Sequence, residues 1–158
     1  MIEDKMYLKV KRLSPQAKLP TRNNNADAGL DLYASSDMFI KVGSTVVIPT
    51  DIAIDIPYGM VGEIKDRSGL ASKGLRTGAG VVDSGYRGGV GVVLHNLNNT
   101  TYERRDPVLY TSEKGYLVTA GDKIAQLVVY KIELPSVEEV NSLDQTDRGS
   151  NGFGSSGI

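Results

Sequence analysis

Asp83 follows two valines and precedes a Ser84-Gly85 turn, in the run Gly78-Ala79-Gly80-Val81-Val82-Asp83-Ser84-Gly85-Tyr86-Arg87-Gly88. A carboxylate projected from a stiff strand end can take a proton from water; the plainer alternative is an ordinary turn aspartate. Glycines on both sides of the Val-Val pair allow close backbone approach to a flat ligand. A second group, Asp66-Arg67-Ser68-Gly69-Leu70-Ala71, puts a guanidinium, a hydroxyl and backbone N–H groups at the start of a short helical stretch. That is phosphate-binding chemistry, or else a plain helix cap beside a solvated arginine. Asp27 and Asp31 flank Gly29 at a strand start. They are too few for an all-protein Mg²⁺ or Ca²⁺ cage, but one carboxylate can orient the waters of a phosphate-bound Mg²⁺.

Two further segments carry polar oddities. Gln126 interrupts the apolar run of Gly121-Asp122-Lys123-Ile124-Ala125-Gln126-Leu127. It either faces solvent or makes a specific hydrogen bond, since a buried amide without a partner costs about 1–3 kcal/mol. The chain ends Asp147-Arg148-Gly149-Ser150-Asn151-Gly152-Phe153-Gly154-Ser155-Ser156-Gly157-Ile158. Composition alone makes this a disordered tail. Its arginine, hydroxyls and N–H groups nevertheless suit a phosphate chain, and a phenylalanine among glycines can lie flat on a base. It lacks the lysine of the NTPase phosphate loop.

These groups must be held by elements that are mostly strands. Asp51 to Ile56 alternates, with three isoleucines on one face and Pro57 as a stop. Val90, Val92 and Leu94 alternate with Gly91, Val93 and His95, and Ile124 to Ile132 predicts a longer strand buried on both faces. Leu8, Val10 and Val46-Val47-Ile48 supply others. The sole helix is expected from Ser68 to Leu75, with Ser68 as its cap and Gly74 as its end. The pattern predicts an all-β fold, an antiparallel jelly-roll-like β-barrel with one short helix. Asn98 to Gly115 is polar and turn-rich, a loop or hairpin between two strands. His95, the lone histidine, reads as a surface or packing residue.

Length and charge set outer bounds. At 158 residues, the sequence fits one domain. Eighteen basic against nineteen acidic residues give a net charge of −1, which argues against a nucleic-acid polymer as partner. No cysteine, no signal-like leader and no apolar run near the ~20 residues of a membrane span predict a soluble protein of a reducing cytoplasm.

Taken in order over residues 26–157, the segments Ala28-Gly29-Leu30-Asp31-Leu32, Arg67 to Ala71, Gly80 to Gly88, Gly121 to Leu127 and Arg148 to Gly157 resemble the five motifs of the trimeric dUTPase family. The resemblance implies a dUTP diphosphatase: a homotrimer exchanging C-terminal arms and hydrolysing dUTP to dUMP and pyrophosphate with Mg²⁺. It implies Asp83 as the base that activates water against the α-phosphorus, with Arg67, Ser68, Gly69 and Gln126 on the phosphates. Gly80, Val81 and Val82 would read uracil through backbone groups, and Tyr86 would pack under the deoxyribose. The arm 147–158 would close on the core 1–146, with Phe153 over the base, Gly154 and Ser155 beside it and Arg148 toward the γ-phosphate. Asp31 would reach the metal through water only.

Two departures stand out. Asp66 takes a place the family commonly gives to an apolar residue or proline, with consequences for the charge around the phosphates. The 98–115 insertion resembles that of some bacteriophage-encoded members, a few of which also bind bacterial repressor proteins. It is therefore either a surface loop or a protein-partner site, and the compartment would be the host cytoplasm if the chain is phage-encoded. The nearest rival is dCTP deaminase, whose chemistry needs a glutamate-centred site where this chain has Asp83-Ser84-Gly85-Tyr86. Another is a binding module with vestigial catalysis.

Overall fold

The computed structural model of the protein describes residues 7–98 and 115–152. Phe153, Gly154, Ser155 and most of the 98–115 insertion lie outside them. Among the described residues run β1 (Lys9–Arg12), β2 (Leu30–Tyr33), β3 (Met38–Lys41), β4 (Thr45–Pro49), β5 (Ile52–Asp55), β6 (Met60–Lys65), α1 (Ser68–Ala71), β7 (Leu75–Gly78), β8 (Val81–Val82), β9 (Gly91–Asn96), β10 (Gly115–Val118) and β11 (Lys123–Lys131). Every pairing is antiparallel. The sheets are β1-β5, β10-β3, β2-β11-β6-β8 and β4-β9-β7. The jelly-roll expectation holds.

The alternating runs behave as period-two patterns require. Ile52, Ile54 and Ile56 are all buried, as are Val92, Leu94 and Asn96 along β9. They meet Leu32, Ile40, Ile48, Leu75, Val118, Ile124 and Leu127 in one core. Asn96 is buried without penalty because its side-chain amide donates to the Ile40 carbonyl at 2.9 Å and its oxygen accepts from the Asn98 amide at 3.1 Å. His95 pairs Nδ1 with the Thr45 hydroxyl at 2.6 Å, so it serves cross-strand packing, as expected.

Two expectations need correction. β11 is not buried on both faces along its length. Ile124, Ala125 and Leu127 point into the core, Gln126 and Val128 are half-buried, and Tyr130 is 43% exposed. It is an interior strand with one outward face, and β2 covers only its first half. The helix is a single turn, and Ser68 is its first residue rather than its cap. Arg67 holds the cap position in extended geometry, with no side-chain capping bond, since a guanidinium has no acceptor to offer the free N–H groups. Gly74 does not end the helix, which stops at Ala71 with Ser72 as its C-cap; at φ +75° it closes the turn that leads into β7.

Candidate functional site

The four-stranded sheet brings three separate stretches of sequence to one place. Its register sets Asp31 of β2 opposite Gln126 of β11, and Gln126 opposite Lys65 at the end of β6. From that point the chain leaves β6 through Asp66 into Arg67 and α1. The resulting open cleft, about 510 Å³, is lined by Asp31, Arg67, Ser68, Gly69, Lys123 and Gln126, with Asn23, Asp27, Ala28 and Gly29 at its rim.

Asp31 organises the cations. Its Oδ1 accepts from Arg67 Nε at 2.9 Å and its Oδ2 from Lys123 Nζ at 2.7 Å. Arg67 Nη1 also donates to the Lys123 carbonyl at 3.1 Å. These bonds fix the guanidinium plane and leave its remaining amino group open to an anion. The hydrogen bond and charge of Asp31 raise Lys123 above the ordinary lysine range, so the ammonium stays protonated. The sequence alone assigns Lys123 no role. Only the β2–β11 pairing, which sequence spacing cannot reveal, puts it beside Asp31.

Gln126 proves to be a bonded amide. Its Nε2 donates to the Asp66 carbonyl at 2.8 Å, and its oxygen lies against Gly29, where a Cβ would overlap it. Asp27, the other carboxylate of that segment, is held by Asn24, whose backbone N–H donates to it at 2.9 Å, in a local turn. Among the described residues no group of three or more His, Cys, Asp or Glu side chains is placed to hold a metal. The donors present would suit a cation that brings phosphate ligands of its own, with Asp31 beside it.

The Asp66 side chain does not line this cleft. Its carboxylate turns toward β7, where Thr77 and Arg76 bind it. Burial pushes its carboxyl up, but the Thr77 amide and hydroxyl and the Arg76 guanidinium outweigh that and hold it below the usual range.

The second cluster lies elsewhere. Val81 and Val82 pair with Glu63 and Gly62 of β6. Gly80 just before them sits at φ +124°, and a Cβ there would come within 2.7 Å of the Ile64 carbonyl oxygen. Val82 is buried and Val81 is 68% exposed. Asp83 follows at the strand end, exposed, and its carboxylate accepts no hydrogen bond from the described residues. The Tyr86 hydroxyl donates to the Gly89 carbonyl at 3.0 Å, and its ring lies over Gly88. Arg87 ties the loop down by donating to the carbonyls of Ser84 and Tyr86 and pairing with Asp55 at 2.7 Å.

These clusters do not meet within one chain. Asp83 continues past the Val82–Gly62 pair to the level of Val61, four residues from Lys65, and β8 is three strand positions from β2. At about 3.3 Å per residue and about 4.8 Å between strands, Asp83 and Asp31 stand roughly 20 Å apart. Arg148 joins neither cluster, since its Nε donates to the Asn151 carbonyl at 3.1 Å within its own turn.

Such an architecture defines an all-β protein with a polar cleft in which Asp31 orients Arg67 and Lys123 and, apart from it, an exposed carboxylate on a glycine-shaped hairpin. The comparisons narrow this class to one family. The family model described as dUTPase matches residues 15–106 and 108–157. The deoxyuridine 5'-triphosphate nucleotidohydrolase of Solanum lycopersicum is 42% identical over 153 residues, covering 96% of this chain and 82% of that protein. That of Rhodococcus erythropolis is 43% identical over 159 residues, covering 99% and 89%. A Staphylococcus bacteriophage 80alpha dUTPase solved with dUPNHPP superposes with a TM-score of 0.85 at 34% identity, covering 98% of this chain and all of that one. The dUTPase of phage phi11 of S. aureus, solved to visualise its species-specific insert, gives 0.77 at 31% identity, covering 89% and 100%. The chain belongs to the dUTPase family.

Proposed function

We propose that this chain hydrolyses dUTP to dUMP and pyrophosphate, keeping uracil out of DNA, at sites assembled from more than one copy of itself. Family membership supports the reaction. The observation that supports the shared site is the strand order and register, which at ideal strand spacing put Asp83 roughly 20 Å from Asp31 of the cleft. A general base must lie within hydrogen-bond reach of the water it activates, about 3 Å. One chain therefore does not bring its own Asp83 to a phosphate held in its own cleft. A homotrimer joins the hairpin of one copy to the cleft of another.

On this reading Arg67, Gln126 and the Ser68-Gly69 backbone hold the phosphate chain, with Lys123 beside them. Asp83, whose oxygens are free, takes the proton of a water attacking the α-phosphorus. The pyrophosphate leaves with its charge already neutralised and needs little protonation. Mg²⁺ carried on the phosphates would supply further neutralisation, with Asp31 holding one of its waters. The backbone of Gly80, Val81 and Val82 reads uracil and excludes a 5-methyl group by close fit. Tyr86 packs under the deoxyribose and leaves no room for a 2′-hydroxyl. The arm 147–158 closes over the nucleotide with Phe153 on the base, Gly154 and Ser155 along it and Arg148 toward the γ-phosphate. The 98–115 insertion stands outside this machinery and is the candidate surface for a protein partner.

The test is pyrophosphate release from purified protein with each dNTP and with UTP. dUTP should far outrank dTTP, dCTP and UTP. Comparable turnover of UTP would remove Tyr86 from its role, and ammonia from dCTP would mark a deaminase instead.

A further inference from the structure

Asp66 sits where two sheets meet, directly after β6 of the four-stranded sheet and directly before Arg67. Both of its polar ends are used. Its Oδ1 accepts from the Thr77 backbone N–H at 2.6 Å and from the Thr77 hydroxyl at 2.8 Å, and its Oδ2 accepts from Arg76 Nε at 2.5 Å. Thr77 and Arg76 belong to β7 of the three-stranded sheet. Its main-chain carbonyl accepts from Gln126 Nε2 on β11 at 2.8 Å. One residue thus stitches β7 to β11, and Arg67 and the Ser68-Gly69 backbone leave the seam from that stitch. The Asp66 side chain is 22% exposed and its two Thr77 bonds are part-buried, so these are less screened than the bond to the more exposed Arg76. The next residue's guanidinium is anchored only at its far end, by Asp31 and the Lys123 carbonyl.

We propose that Asp66 is a positioning residue for triphosphate binding: its carboxylate clamps the start of the Arg67-Ser68-Gly69 segment to β7 and so sets where that segment presents its donors to the phosphate chain. The inference rests on the reading of this cleft as the phosphate-holding half of the dUTP site. It follows that an acid at this position strengthens the cleft although its charge has the wrong sign for a phosphate, because that charge is neutralised by Arg76 on the side away from the ligand. Losing the carboxylate leaves the Thr77 N–H without its acceptor and frees the segment before Arg67 to shift. Small misplacements of binding groups have large effects on what they hold.

The experiment compares two ligands on intact protein by calorimetry: dUTP with an imido bridge between its α- and β-phosphates, and dUMP, which has no β- or γ-phosphate. Asp66→Ala should weaken the imido analogue by about tenfold or more, the scale on which outer partners of binding groups act, while dUMP changes little. Asp66→Asn keeps an oxygen for Thr77 and should recover most of that loss. Equal weakening of both ligands, or none of either, would overturn the proposal, as would failure of Asp66→Asn to do better than Asp66→Ala. If Asp66→Ala does not fold, Thr77→Val removes only the hydroxyl donor and reads the same ligand ratio at smaller amplitude. A wild-type protein that does not bind the imido analogue would sink the dUTPase reading itself; a wild-type that binds it with an unmoved ratio would sink only the role of Asp66.

Discussion

The cleft and the hairpin differ in how their polar groups are satisfied. In the cleft, Asp31 holds Arg67 and Lys123, and the Asp66 carbonyl holds Gln126, by bonds that leave further donors of the arginine, lysine and amide open. In the hairpin, the backbone is fixed by Gly80, the Arg87 contacts and the Tyr86–Gly89 bond, yet the Asp83 carboxylate itself is left alone. The contrast matches two chemical tasks. Groups that stabilise charge gain from preorganisation, since no reorganisation is then needed during reaction. A base gains from having its lone pairs open to water.

The largest expected effect falls on the hairpin. Asp83→Asn should lower kcat by a factor on the order of 10² or more while leaving nucleotide affinity and thermal unfolding nearly unchanged. Steady-state kinetics beside binding of the imido analogue checks this. Wild-type-like turnover would move the base elsewhere, Asp31 being next. Removing residues 147–158 should come close in magnitude: the trimer survives, seen by mass, and turnover nearly vanishes. Arg67→Ala tests the other half. It removes a charge-assisted donor and should raise KM for dUTP by about one to two orders of magnitude, with little change in binding of dUMP. An unchanged KM would take the cleft out of phosphate binding.

How much of this contrast is legible in sequence depends on range. The hairpin is local: Gly80, the Val-Val pair and the Ser-Gly turn announce a shaped strand end because their constraints act within a few residues. The alternation at Ile52–Ile56 and Val90–Asn96 likewise marks buried faces directly. The cleft is not local. Its content lies in register, Asp31 opposite Gln126 and Asp66 beside Thr77, and nothing in the spacing of residues 31, 66, 77 and 126 dictates those pairings. For that reason Gln126 is recognisable as an anomaly but its partner is not, and Lys123 has no assigned role until β2 lies beside it. Ser68 looks like a cap because serine favours that position. Arg67 takes the place instead, in extended backbone geometry, with its side chain held by the long-range partners Asp31 and the Lys123 carbonyl. The outward face of β11 is missed because apolar Val128 and Val129 blur the alternation.

Smaller effects sharpen the comparison. Deleting 100–114 with a short turn should preserve both trimer and dUTP turnover, since neither half of the site draws on it. Loss of the trimer would make the segment structural. Asp66 gives the smallest signal, in acid stability. Its folded carboxyl lies below its unfolded value, so its contribution is present above the unfolded range and fades as pH falls through the folded value. The urea midpoint of Asp66→Asn should therefore lie below wild type at pH 7, and the gap should narrow below about pH 4. A gap independent of pH would mean that the charge does not matter.

On the proposed function, hairpin and cleft of one site come from different copies of the chain. Asp83→Asn, and Arg67→Ala assayed with dUTP far below its raised KM, are each nearly inactive alone; they should be unfolded together, refolded and isolated as trimers shown by mass to contain both chains. Turnover of dUTP should return in these mixed trimers, because an intact Asp83 on one copy meets an intact Arg67 on another. Mixed trimers as inactive as their parents would contradict the shared site and place the whole site within a single chain.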